Sequence, residues 1–143
     1  MKIVNKRIFF SNLDRRFKEI PKRNLRRACQ RAADVVRNEA VQSITGGSKT
    51  GETVRKYNPT RTHTQSAAGE PPASDTGFLV ANITATTRAE GKKMIGEVKA
   101  SAPYAVHLEF GTTAMQARPF LQPALEKNSK KIQAIFVSEG III

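Results

Sequence analysis

The stretch Asn24-Leu25-Arg26-Arg27-Ala28-Cys29-Gln30-Arg31-Ala32-Ala33-Asp34-Val35-Val36-Arg37 decides how the rest of the chain is read. Leu25, Ala28, Cys29, Ala32, Val35, Val36, Ala40 and Ile44 recur at helical spacing and line one stripe, at about 100° per residue. Arg23, Arg26, Arg27, Arg31 and Arg37 fall mostly opposite. The spacing predicts a long, basic, amphipathic helix that must bury its small-residue face. Gly46-Gly47 ends it. Upstream, Pro21 removes an N–H donor and predicts a kink or break. Before it Leu13, Phe17 and Ile20 carry a shorter helical repeat that Ser11 or Asn12 can cap. Residues 3–10 read as a short strand or an arm, with 1–11 taken as an N-terminal arm.

Beyond the helix, residues 46–75 are rich in Gly, Ser, Thr and Pro and show no apolar periodicity. Connections this long are usually functional or disordered. With few apolar residues to fold on itself, the segment reads as a mobile loop that orders on assembly. The second half is patterned differently. Asp75 can cap a short helical turn through Phe78-Leu79-Val80-Ala81. Ile83-Thr84-Ala85-Thr86-Thr87 is β-branched and strand-like. Ala89-Glu90-Gly91-Lys92 supplies a turn, and Met94, Gly96, Val98 and Ala100 alternate on a return strand. Pro103 suits the first turn of a helix from Tyr104 to Phe110, stopped by Gly111. A last helix carries Leu121, Ala124, Leu125, Ile132, Ile135 and Phe136 on one face, with Pro119 and Pro123 confining its regular bonding to residues after about 122. Residues 138–143 form an apolar tail in which Ile141-Ile142-Ile143 reads as an unprotected strand end.

These elements amount to one domain over 1–143, an ordinary size for a single core. The class is α+β: a long basic N-terminal helix and a C-terminal helix packed on a small, mainly antiparallel sheet, with a long flexible loop. No stretch approaches the roughly 18 apolar residues of a membrane span, and the N-terminus lacks the pattern of a secretory signal. One cysteine, Cys29, excludes an internal disulfide and a Cys-cluster metal site. It lies on the apolar stripe as a small core hydrophobe.

Charge is the next discriminator. The net charge is +12, and residues 1–44 alone hold 12 Lys/Arg against 4 Asp/Glu. Such a field favours a polyanion or an acidic partner surface, unless it is only the solvated side of the helix. Arg23, Arg26, Arg27, Arg31 and Arg37, with Arg55, Lys56 and Arg61 in the loop, are the candidate contacts to DNA or to a partner.

Catalytic constellations are missing. His107-Leu108-Glu109 matches the H-x-E fragment of zinc deaminases, but the downstream P-C-x-x-C is absent and the only cysteine lies far upstream. On a helix His107 and Glu109 also point about 200° apart. Gly46-Gly47-Ser48-Lys49-Thr50-Gly51 lacks the Walker spacing and a leading strand. His63 lies in the loop. No enzyme, metal or cofactor is expected.

Three stretches point elsewhere. They are Ser66-Ala67-Ala68-Gly69-Glu70-Pro71-Pro72-Ala73 with Asp75-Thr76-Gly77-Phe78-Leu79; Tyr104-Ala105-Val106-His107-Leu108-Glu109-Phe110-Gly111-Thr112; and Arg118-Pro119-Phe120-Leu121-Gln122-Pro123-Ala124-Leu125. In this order and spacing the chain resembles the tail-completion or head–tail joining proteins of tailed bacteriophages, a group that includes minor tail components. The resemblance implies a structural virion protein made in the host cytoplasm. It would sit in the neck as a homo-oligomeric ring, six-fold by that resemblance, with the head connector or stopper on one side and the tail terminator or tail tube on the other. Genomic DNA would pass through it. Gly69, Pro71, Pro72, Gly77 and Leu79, then Tyr104, Ala105, Glu109, Phe110 and Gly111, then Arg118, Pro119, Phe120, Pro123 and Ala124 are the motif positions expected to serve the fold or an interface. Within them Gly77 allows a tight turn, and Tyr104, Leu108 and Phe110 are expected to anchor the short helix on the sheet. Phe120 is expected to plug the core, and Glu109 to pair with a basic group, Arg118 or one on a neighbouring subunit. The alternative is a nucleic-acid-binding protein using the arginine face of the long helix.

Overall fold

The computed structural model describes residues 2–4, 7–9, 21–91 and 93–141, the first two segments as backbone. The expected cap and helical repeat over 11–20 lie outside the described residues, as do Ile142 and Ile143. The long helix, α1, spans Lys22–Thr45 and begins directly after Pro21, whose carbonyl accepts from the Asn24 and Leu25 amides. Its buried face is Ala28, Cys29, Ala32, Ala33, Val36, Ala40 and Ile44. Alanine at so many of these positions brings the helix backbone close to whatever it covers.

What it covers is an antiparallel sheet. Strands β1 (Lys2–Val4), β2 (Arg7–Phe9), β5 (Ile83–Glu90) and β6 (Lys93–Ala100) lie in the order β1-β2-β6-β5. The N-terminal residues thus enter the sheet as a pair of short strands, with Arg7 opposite Lys99. β5 and β6 form a hairpin in register from Ile83↔Ala100 to Glu90↔Lys93, turning at Gly91. α1 packs across β5 and β6. Its side chains also bond to the carbonyls of β5, which lies at the sheet's edge: Arg37 Nε donates to Ile83 O at 3.1 Å and Gln30 Nε2 to Ala85 O at 3.3 Å. Occupied carbonyls make this edge a poor template for another strand.

Beyond β6, α3 (Ala105–Phe110), α4 (Leu121–Lys127) and α5 (Ser129–Ser138) close the structure, with α4 and α5 against α1. The expected single last helix is two. Asn128, nearly buried, donates from Nδ2 to Ala124 O at 2.9 Å and so competes for a helical carbonyl. The C-terminal strand end is corrected as well. Gly140 takes φ +71°, its amide donates to Val137 O, and the Ile141 amide donates to Phe136 O. This is a Schellman ending, and Ile141, 5% exposed, is its apolar contact. The core seats Phe120, Leu121, Ile83, Val98, Val36, Ile44 and Cys29. Burial pushes the Cys29 thiol up to about 11, which keeps it an inert hydrophobe.

Residues 46–75 were expected to lack structure, and here too the fold differs. β3 (Thr53–Tyr57) and β4 (Thr60–Thr64) pair as a separate two-stranded sheet around Asn58-Pro59. The alternation is present but carried by polar residues. Val54, Lys56, Arg61 and His63 are half-buried, whereas Thr53, Arg55, Tyr57, Thr60 and Thr62 are exposed. A search for apolar alternation passes over such a strand, although threonine's branched side chain suits it.

Candidate functional site

The three motif stretches, far apart in sequence, meet on one side of the molecule. α3 supplies the pivot. Its inward residues are Ala105, Leu108 and Glu109, at spacings of three and one. Tyr104 and Phe110 do not anchor it as expected; they are 42% and 54% exposed. A helix of six residues presents one face to the core, and these two lie off it. At its end Gly111 adopts φ +74° and ψ 178°, a region that in practice admits only glycine. A Cβ there would also stand 2.9 Å from the Met115 carbonyl oxygen and the Ala117 amide nitrogen. Glycine is required twice over, by conformation and by space.

Because the chain passes so close, it folds back along α3. The Arg118 amide donates to Leu108 O at 2.6 Å, and the Gly69 amide donates to Ala117 O at 3.1 Å, joining the first motif to the third. Glu109 then joins the second to the third. Its Oε2 accepts from the amides of Phe120 (2.9 Å) and Leu121 (3.0 Å), and its Oε1 accepts from Gln122 (2.8 Å). α4 has no capping side chain of its own. The next residue, Pro123, has no amide hydrogen, so one carboxylate from another helix satisfies the opening donors of α4. The expected pairing of Glu109 with a guanidinium is therefore corrected: its partners are backbone amides. A carboxylate in an apolar motif, followed by a helix start without Ser, Thr, Asp or Asn, was the available signal. Nothing in the spacing joined the two.

The first motif is organised by two further carboxylates. Glu70 accepts from the Thr50 hydroxyl and from the Thr50 and Ala67 amides, and these bonds, the hydroxyl's foremost, hold its carboxyl below the usual range. Asp75 was expected to cap the turn at residues 78–81, the short helix α2 (Phe78–Ala81). Instead Gly77, at φ +78°, stands at that cap. Asp75 is drawn to the hairpin, where Lys56 and Arg61 face each other across the strands. Two like charges directly opposite destabilise a strand pair. Asp75 resolves this by bonding Lys56 through Oδ2 and Arg61 through Oδ1, with His63 Nδ1 at 3.9 Å.

The hydrogen bonds from Lys56, then Arg61, push the Asp75 carboxyl down to about 2 from 3.8. A folded-state value below the unfolded one means the clamp contributes fully above about pH 4 and is lost as pH falls through about 2. Carboxyl-carbon NMR should show Asp75 titrating with a midpoint near 2, with the Arg61 Nε–H signal moving in the same step. In Asp75→Asn that step should vanish, and amides of the hairpin should exchange faster at neutral pH.

The cationic candidates divide in the same way. Arg27 and Arg31 both grip Glu139, Arg27 through Nε at 2.8 Å and Arg31 through Nη1 at 2.6 Å, tying the end of α5 to α1. Their bonds, Arg27's first, lower the Glu139 carboxyl's pKa. Arg37 is engaged with β5, and Lys56 and Arg61 with Asp75. Arg23 and Arg26 are exposed, and Arg55 lies over the Tyr57 ring at 5.4 Å. The arginine stripe is thus partly an internal fastening. Pro72, Leu79, Ala105, Phe120 and Ala124 are buried; Pro71 and Pro119 are half-buried; Pro123 is exposed. Among the described residues no group of three or more His, Cys, Asp or Glu could hold a metal ion. His107 is exposed while Glu109 is buried, on opposite sides of α3.

Between the hairpin, the 72–79 segment and α3 lies a cavity of about 320 Å³, lined among others by His63, Ser66, Phe78, Tyr104, Leu108 and Arg118. Phe78 and Tyr104 flank each other with ring centroids 6.3 Å apart.

Compared with known proteins, residues 9–111 match the model of a family described as "Bacteriophage HK97-gp10, putative tail-component". No curated protein and no solved structure matches the chain.

Proposed function

Because the chain belongs to the HK97 gp10-like family of phage tail components, and so is a tail-associated structural protein of the virion, we propose that it works at the top of the tail, joining the tail to the head connector as one subunit of a homo-oligomeric ring. The observation that carries this reading is the exposed aromatic rim on the converged motifs. Phe78, Tyr104 and Phe110 stand 49%, 42% and 54% exposed, the latter two at the ends of α3, which Glu109, Gly111 and Arg118 hold in place, and Phe78 at the start of α2 beside Tyr104. Aromatic side chains presented on a rigid support are the usual anchors of protein interfaces.

In this reading the 46–75 segment is the projection that settles against a neighbouring subunit, since its hairpin belongs to a sheet of its own. The exposed arginines of α1 face a connector protein or the channel carrying DNA, and six subunits close the ring. The protein acts by assembly and without catalysis. No helix among the described residues is long and apolar enough to cross a membrane.

The test is complementation of a particle lacking this protein. Phe110→Ser removes an exposed anchor without disturbing the core, so the variant should fold normally. Electron microscopy of lysates should show joined virions falling about ten-fold or more, the scale expected when an interface anchor is lost. Full heads and free tails should accumulate. A nucleic-acid-binding role would instead show in the free protein as DNA affinity with a log–log salt slope of about 0.9 per phosphate contact. Undiminished joining by Phe110→Ser, together with such a slope, overturns the assembly reading.

A further inference from the structure

The cavity holds an unsolved accounting problem. Buried polar atoms in folded proteins nearly always have partners. Here the Oγ of Ser66, a residue only 2% exposed, and the Nε of Arg118 are both buried with no hydrogen-bond partner. Both residues line the same cavity. The backbone that carries Arg118 is held by its amide bond to Leu108 O and restricted by Pro119.

The charges around the cavity narrow what would satisfy them. Lys56 and Arg61 are taken by Asp75, and His63 stands near the same carboxylate. The donors buried without a partner in this lining are the Arg118 Nε and the Ser66 hydroxyl. A single negative charge carrying two acceptor oxygens matches this pair. A polyanion matches it less well, because the Asp75 carboxylate sits at the wall and repels added negative charge, and it already engages Lys56 and Arg61. The half-exposed rings of Phe78 and Tyr104 at the mouth favour a peptide with apolar flanks over a hydrated phosphodiester.

We infer that this cavity is a socket for an aspartate or glutamate side chain presented by an acidic partner protein, with Arg118 and Ser66 as its hydrogen-bonding groups. A net charge of +12 complements an acidic partner surface. The inference rests on the cavity and stands apart from the ring reading.

Proton–nitrogen NMR of the full chain tests it directly. The Arg118 Nε–H resonance is identified by its absence from Arg118→Gln. The probe is a blocked tetrapeptide with one glutamate between leucines. Saturable downfield movement of that resonance is expected, with the glutamine twin binding about ten-fold more weakly for want of the charge-assisted bond. Ser66→Ala should weaken the glutamate peptide several-fold while leaving the rest of the spectrum in place. Equal movement with inorganic phosphate overturns the proposal in favour of a general anion site, and equal movement with oligo(dT) overturns it in favour of nucleic acid. Movement on concentrating the protein alone would make the occupant a second copy. No movement with the glutamate peptide removes the socket altogether.

Discussion

Glu109→Ala is expected to cost about 3–5 kcal/mol, because it strands three backbone donors at the start of α4, two of them in buried bonds. The Phe120 and Leu121 amides bond to one carboxylate oxygen and the Gln122 amide to the other, at 2.8–3.0 Å. These are charge-assisted bonds at a helix N-terminus, where a negative charge is further favoured by the aligned peptide dipoles. Glu109 is itself only 6% exposed, so water does not readily replace it. Against a total stability of about 5–15 kcal/mol, the loss takes a large share and unfolds a marginal protein. Glu109→Gln keeps one acceptor oxygen and should lose about half as much. Urea unfolding followed by circular dichroism measures both. A loss below about 1 kcal/mol for alanine would mean that water caps α4 and the carboxylate is dispensable.

Phe120→Ala should be as severe, again about 3–5 kcal/mol, for a different reason. Its ring is 1% exposed and heads the largest fully buried side chains of the core. Truncation removes the transfer energy of the ring and leaves a void that close-packed neighbours fill only in part. Phe120→Leu, which refills much of that volume, should recover more than half of the loss. The same denaturation series reads it out. A well-folded alanine variant losing under about 1 kcal/mol would show the ring to be replaceable. Since the Phe120 amide is also a Glu109 partner, the two substitutions share an element and their effects should fall short of additive.

Elements whose signal is local and apolar were legible without coordinates. The α1 stripe from Leu25 to Ile44, the β5–β6 hairpin turning near Gly91, the turn at 78–81 and the stop at Gly111 all appear where periodicity and turn chemistry place them. Each is decided by residues within a few positions of one another, so the chain's own order suffices. The β3–β4 hairpin escaped because threonines and basic residues carry its alternation. Its stability depends on Asp75, eleven residues beyond the end of β4, bridging Lys56 and Arg61.

By itself, then, the sequence determined the α+β class, the apolar helix face and the motif stretches that carry the family likeness. Tertiary structure alone decided what the polar residues inside those motifs do. Asp75 is a hairpin clamp and no cap; Glu109 caps a helix whose opening amides lie eleven to thirteen residues on. Ile141 closes a Schellman turn, Tyr104 and Phe110 face outward, and Ser66 and Arg118 share a cavity wall. The physical reason is the range of the forces involved. Burial of apolar faces follows from spacing along one element, whereas a hydrogen-bonding or charged group is satisfied by whatever donor or acceptor the fold brings within about 3 Å, from any distance along the chain.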